Sequence, residues 1–367
     1  MLELIGDAID QIMTVQMTWK NSFGNFQGEV YRAARAKYGR PLALLAAERL
    51  KERITPGANV ILCTGAGTPP VLPQGETDGP TGTAALARAL HLGLGARPVV
   101  VSEQYYFAPV EAAFRAAGLM PSPYEFSSRL GYKVGFLDFP DDDDPIGHAR
   151  RVLDLVKPAA IIAVEKTGPN EAGIIHSASG EAKAGNARID HLFRLGREAG
   201  ALTLGIGDWG NEIGMGCVVE AVRQYQPYGR RCLCACGRGI ADVTETDLMI
   251  ISNIANWGAY AVGAALAVLL KDVRVFHDPE VERRMVLDCT RAGAADGRTR
   301  MSDGGVDGTS LAAQQYGVGL LREVVVNALA APPLFERSKV WEGELLKAEG
   351  VLVEYAGRAS DFQVRPA

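Results

Sequence analysis

Apolar residues recur along this chain in two rhythms, and the change from one to the other sets its organisation. Leu4, Ile5, Ile9, Ile12 and Met13 return at helical spacing near the start. A break at 21–26 separates them from a second helical pattern running through 42–50. Short, mainly apolar runs then take over at 59–63, 98–102, 134–138, 159–164, 202–206 and 247–252. Such runs, bounded by glycine and polar clusters, predict strands buried on both faces. Between them, 84–92, 110–117, 148–156, 188–199 and 218–225 predict helices. Strand alternating with helix predicts an α/β fold: a mainly parallel sheet with helices on both faces, in three layers. The expected division is an N-terminal helical segment 1–50, an α/β catalytic domain 51–330 and a peripheral tail 331–367.

Polar residues matter most where the strands end. In a parallel sheet every strand-end loop opens on the same edge, where ligands bind in open α/β folds. Four such loops are rich in glycine. After 59–63 comes Thr64-Gly-Ala-Gly-Thr68 and then a long loop to Thr83, with hydroxyls at Thr64, Thr68, Thr81 and Thr83. Exposed amides and hydroxyls there make a cradle for a carboxylate or phosphate. After 159–164 comes Glu165-Lys166, able to neutralise an anion, shuttle a proton or bind a metal; a surface ion pair is the plainer alternative. After 202–206 a turn carries Asp208, Asn211 and Glu212, which exceeds what a helix cap needs. After 247–252 come Asn253 and Asn256. The acidic pair Asp303 and Asp307 reads first as a plain turn, with a lid or metal role as the alternative. His176 and His191 receive no role.

Bulk composition narrows the class. The chain has 367 residues, 47% hydrophobic and 22% charged, which suits a globular enzyme. A net charge of −5 without a basic stripe argues against nucleic acid as a partner. Gly65 and Gly67 lack the third glycine of a dinucleotide fingerprint, and no Gly-Lys-Ser/Thr follows, so no nucleotide cofactor is expected. The apolar run 259–270 is too short for a bilayer and reads as a buried helix. The start carries acids in place of a basic leader region, so no signal peptide and a cytoplasmic location are expected. The acids at 141–144 are consecutive and point apart, which favours a solvated loop over a calcium site. Six cysteines are too few and too scattered for a disulfide scaffold. Cys232, Cys234 and Cys236 alternate, and the expectation is a reduced, buried strand, because alternate strand residues cannot wrap a tetrahedral ion without more ligands.

Four blocks in this order, TGAGTPPVLPQGETDGPTGTAALARAL, VEKTG, GIGDWGNEIGMG and SNIANWGAYA, resemble the D-glutamate cyclase family. The resemblance spans roughly 42–328, and the third block is highly specific; 169–185 carries none of the four. In animals the family is represented by a mitochondrial protein whose carboxyl-terminal domain holds these blocks, with a further amino-terminal domain not expected to be needed here. The resemblance implies loss of water from D-glutamate to give 5-oxo-D-proline, so the expected partner is an acidic amino acid.

That reaction sets demands the loops can meet. The substrate amine attacks its own γ-carboxylate, and holding the folded conformer makes the step effectively unimolecular. An ammonium needs a base, here Asp208 or Glu212, and a poor electrophile needs its charge neutralised, here by Lys166 and the amides of Gly65, Gly67 and Thr68. Glu165 is the expected acid for the departing oxygen. Asn211 and Asn256 are expected to fix the α-carboxylate and amine, and Asp78 joins the substrate-binding set. Glu165, Asp208 and Glu212 are hard oxygen ligands suited to Mg or Mn, a role that competes with acid–base work. A metal-dependent enzyme acting on another carboxylated or phosphorylated metabolite, and a non-catalytic acidic amino-acid sensor, are the alternatives. Whether the chain acts alone or as an oligomer stays open.

Overall fold

Short apolar runs without a polar face can only be buried between layers, and in the computed structural model they form one parallel sheet. The structure describes residues 1–17, 26–130 and 133–330. Among these the strands are β1 (Asn59–Cys63), β2 (Arg97–Ser102), β3 (Met120–Pro123), β4 (Lys133–Asp138), β5 (Ala160–Val164), β6 (Leu202–Gly207) and β7 (Leu248–Ile251). Their order is β3-β4-β2-β1-β5-β6-β7, and every pairing is parallel. Register is set by side-chain alternation: Ile61 stands beside Val99 and Ile161. Ile61, Cys63, Val99, Val101, Ile161 and Ala163 pack on helices Pro145–Val156 and Asp190–Glu198. The opposite face is covered by Pro80–Leu94 and by the nearly all-buried Ala255–Leu270. The three-layer α/β architecture is therefore as expected.

Differences from the sequence reading have local causes. β3 was not anticipated because two of its four residues are proline, which a sheet tolerates at an edge, where β3 lies. The helix after β1 begins at Pro80, since proline suits the first helical position. Thr81 and Thr83 consequently leave the cradle: Thr81 pairs with the Tyr260 hydroxyl at 2.8 Å and Thr83 donates to the Gly79 carbonyl. The acids at 141–144 are exposed, and Asp144 caps the next helix by accepting from the Gly147 amide at 3.0 Å. Most of the break at 21–26 and all of the tail 331–367 lie outside the described residues, with Phe26 opening the helix Phe26–Tyr38. The sheet and the helices that cover it belong to one compact unit, Met1–Val326, and a second unit begins at Asn327. No helix among the described residues is long and apolar enough to cross a membrane.

The largest correction concerns the cysteines. Cys232, Cys234 and Cys236 lie in an irregular loop, not a strand, and a turn closed by the Gly237 amide on the Cys234 carbonyl brings the last two together. His176, to which no role was given, stands against them with Nε2 3.2 Å from Cys234 Sγ.

Candidate active site

The strand order reverses direction at β1: β2, β4 and β3 lie on one side, β5, β6 and β7 on the other. Loops after β1 and β5 diverge there and leave a crevice. A cavity of about 350 Å³ opens at that point, lined by Gly67 and Thr68 from the first loop and by Glu165 and Thr167 from the second. The turn after β6 adds Trp209 and Asn211, and Asp307 closes the rim. Its volume suits a small metabolite.

The floor is acidic. Carboxylate oxygens of Asp78, Glu165 and Asp208 lie within 4.8 Å of one another, all three residues are buried, and of the three Glu165 alone lines the cavity. Glu165 Oε2 and both oxygens of Asp208 are buried without a hydrogen-bond partner. The carboxyl of Asp307 stands beside Asp208. Burial, reinforced by neighbouring carboxyls, holds Glu165, Asp208 and Asp78 well above the usual carboxylate range. Glu76, on the wall, is pushed up to about 8 by burial and then by Asp307, against the pull of Lys183. Such groups carry protons near neutral pH or give them up to a cation. Three hard carboxylates converging, two of them with unpartnered oxygens, also form a divalent-cation set.

Backbone strain marks the same residues. Glu165 (φ 53°) and Asp307 (φ 51°) both sit in the left-handed region, which for such side chains costs about 1 kcal/mol or more. The kink lets Glu165 leave β5 and turn its carboxyl to the floor, while its amide still donates to Ile206 at 3.1 Å.

Cations stand on the walls. Lys183 lines the cavity half-buried, its pKa lowered by burial against the opposing pull of Glu76. Arg298 lies 4.5 Å over the Trp209 ring, whose indole donates to Asp307 at 3.2 Å, and Arg300 is at the rim. Carboxyls below and cations at the sides make a pocket of mixed charge.

Several expected site residues are used to build this pocket and do not line it. Lys166 is fully buried, with its ammonium on the Gly65 carbonyl at 3.0 Å and in an ion pair with Glu103. Gly65 (φ +94°) presses on the Tyr106 ring, where a Cβ would come within 2.8 Å. Glu212 is fully buried and accepts from the amides of Asp208 (3.3 Å), Trp209 (2.8 Å) and Gly210 (2.8 Å). It therefore folds the turn that carries Asp208, and the third acid of the buried cluster is Asp78. Gly207 is glycine because a Cβ would meet the Glu212 side chain at 2.9 Å. Asp78 accepts from Ala255 and Asn256 amides, tying the first loop to a helix start. Asn256 accepts from Gly79 and Gly82 and donates to Thr77 at 3.1 Å, all inside the protein. Asn211 lines the cavity, donates to the His176 carbonyl at 2.8 Å and keeps Oδ1 without a partner.

Glu76, Lys183, Arg298 and Arg300 escaped sequence reasoning, and Asp307 was read first as a turn. Glu76 sat unremarked inside a block singled out for glycines and threonines. The others lie far from any strand end, and only folding brings 183 and 298–307 over the crevice.

The cavity-bearing segment also matches known proteins. A model described as D-glutamate cyclase-like, C-terminal, matches residues 31–322. Over 82 residues the chain is 42% identical to human "D-glutamate cyclase, mitochondrial"; the stretch is 22% of this chain and only 12% of that protein. With all seven strands and every residue of the cavity inside the matched span, the chain belongs to the D-glutamate cyclase-like C-terminal family.

Proposed function

We propose that this chain is a D-glutamate cyclase, converting D-glutamate to 5-oxo-D-proline and water. One observation carries the reading: Glu165, with an unpartnered carboxyl oxygen and the carboxyls of Asp78 and Asp208 clustered against its own, lines a small cavity whose walls hold Lys183, Arg298 and Arg300. An ammonium and two carboxylates on one small molecule complement that mixture, whereas a purely anionic ligand would be repelled by the floor. The D preference rests on the family alone.

In the reaction the amine nitrogen bonds to Cδ, and the Cδ–O bond of the γ-carboxyl breaks. Asp208, raised in pKa and free of amide donors, is the base that takes the ammonium proton. Glu165, also raised, donates one proton to the departing oxygen and is reprotonated from Asp208, and the second proton that the nitrogen loses as the ring closes passes to the same oxygen, which leaves as water. Lys183 and the arginines neutralise the carboxylates, the role first given to Lys166, which is occupied by Glu103. Glu212, held by three amides, is left as the residue that orients Asp208. Enclosure favours the folded substrate conformer.

Asp78, Glu165 and Asp208 would hold Mg or Mn, since hard, converging carboxylates fit such an ion and those of Glu165 and Asp208 keep unpartnered oxygens for it. Bound there, the ion would supply neutralisation of substrate carboxylate charge. An intracellular, cytoplasmic site of action accords with the reduced cysteines.

The test is to incubate the full chain with D- or L-glutamate, with and without Mn²⁺ or Mg²⁺, and to follow 5-oxoproline by chiral chromatography. Turnover of the D form is expected. Absence of product from either enantiomer under every condition would end the reading, and ligand-induced thermal stabilisation without product would mark a sensor instead.

A further inference from the structure

Away from the acidic floor, a second group of ligating atoms converges. The Sγ atoms of Cys232, Cys234 and Cys236 are 3.3–3.5 Å apart, and His176 Nε2 lies 3.2 Å from Cys234 and 3.8 Å from Cys236. None of the three cysteines is in a disulfide. A zinc ion with bonds of about 2.3 Å to sulfur and about 2.0 Å to nitrogen separates tetrahedral ligands by about 3.5–3.8 Å. The four atoms sit close to those corners, slightly drawn in.

The surroundings are those of a ligand set. His176 is fully buried, and its Nδ1 lies 3.0 Å from the Ile174 carbonyl, so that nitrogen carries the proton and Nε2 turns its lone pair to the sulfurs. Asn170 Nδ2 lies 3.4 Å from Cys236 Sγ and also donates to the Gly239 carbonyl at 2.7 Å. An amide pointed at sulfur favours thiolate over thiol. Cys232 is buried while Cys234 and Cys236 are partly open, which leaves an ion a way in.

We propose that His176, Cys232, Cys234 and Cys236 form a structural zinc site that staples the 228–240 loop to the 170–185 loop. Three soft sulfurs and one imidazole in a closed tetrahedron select zinc, and no ligand position remains for catalysis. The staple has a consequence for the cavity. Ser177, Ala178, Ser179 and Lys183 come from one stapled loop and Tyr228 from the other, and His176 itself holds Asn211 through its carbonyl. The Leu233 amide on Gly180 and Gln226 on Ala178 are the weaker ties alongside. The proposal is independent of the cyclase reading, because its readout is metal and not product.

The full chain, purified in reducing buffer without chelator, is expected to carry about one zinc per molecule by elemental analysis. Refilling with Co²⁺ is expected to give thiolate-to-cobalt charge-transfer bands together with tetrahedral d–d bands. Cys234→Ser/Cys236→Ser should lower zinc content at least tenfold, whereas Asp208→Asn should leave it unchanged. Cobalt bound without thiolate bands, zinc kept by the double cysteine variant, or a reduced protein that takes up neither metal would each overturn the site. The cobalt spectrum of the unaltered chain decides the matter even if the cysteine variant fails to fold.

Discussion

Asp208 and Glu212 lie four residues apart in one turn, both carboxyls buried, yet their surroundings are opposite. Glu212 receives three backbone amides, while Asp208 receives none and faces Glu165 and Asp307. A carboxylate ringed by amides is satisfied, so it organises backbone. A buried carboxyl crowded by others is held against its own stability, and persists where a cation, a proton or a substrate completes it. The same contrast separates Lys166, ion-paired with Glu103, from Lys183, which faces the cavity. Chemistry is thus to be sought in the incomplete member of each pair.

Substitution separates the two classes most sharply at the floor. Asp208→Asn and Glu165→Gln are expected to lower kcat about a thousandfold, the usual worth of a positioned acid or base, with the melting temperature unchanged or raised. Near-full activity in either variant would break the contrast. Glu212→Ala should act the other way round, through folding: three amides lose their acceptor, and about 3 kcal/mol of stability should go in denaturant titration. A variant that melts normally but is inactive would return Glu212 to the chemistry.

A weaker effect appears with pH. Glu76 has an ordinary value of 4.5 and a folded value of about 8. Below 4.5 both states are protonated and the group is neutral to stability; as pH rises towards 8 the unfolded chain sheds its proton first, so the folded state loses ground. Thermal melts should therefore fall across that window, Mn²⁺ should restore most at its upper end, and Glu76→Gln should flatten the slope. A melting temperature that climbs through the window would contradict the raised value. The smallest change is expected far from the cavity: Asp144→Ala removes a helix cap worth about 1 kcal/mol and should leave turnover intact.

Much of the architecture could be read directly. β1 and β5 were visible as apolar runs between glycine-rich loops, and the buried helix Ala255–Leu270 as a run too short for a membrane. Glu165, Asp208 and Asn211 were legible for the same reason, since strand ends of a parallel sheet share an edge. Lys166 and Asn256 carried the same signal and proved internal, because position after a strand does not reveal which way a side chain turns. Cys232, Cys234 and Cys236 misled further, as their spacing imitates a strand while a turn at Gly237 folds them round His176.

What the residue order determined here is local: period, strand end and turn follow from neighbours within a few positions, and these dictated sheet, layers and the edge where the cavity opens. Which carboxyls would be satisfied by amides and which left open was decided only by packing. The charges that complete the cavity arrive from 183, 298 and 307, whose distance along the chain is invisible to any periodicity and is closed only when the loops meet over the crevice.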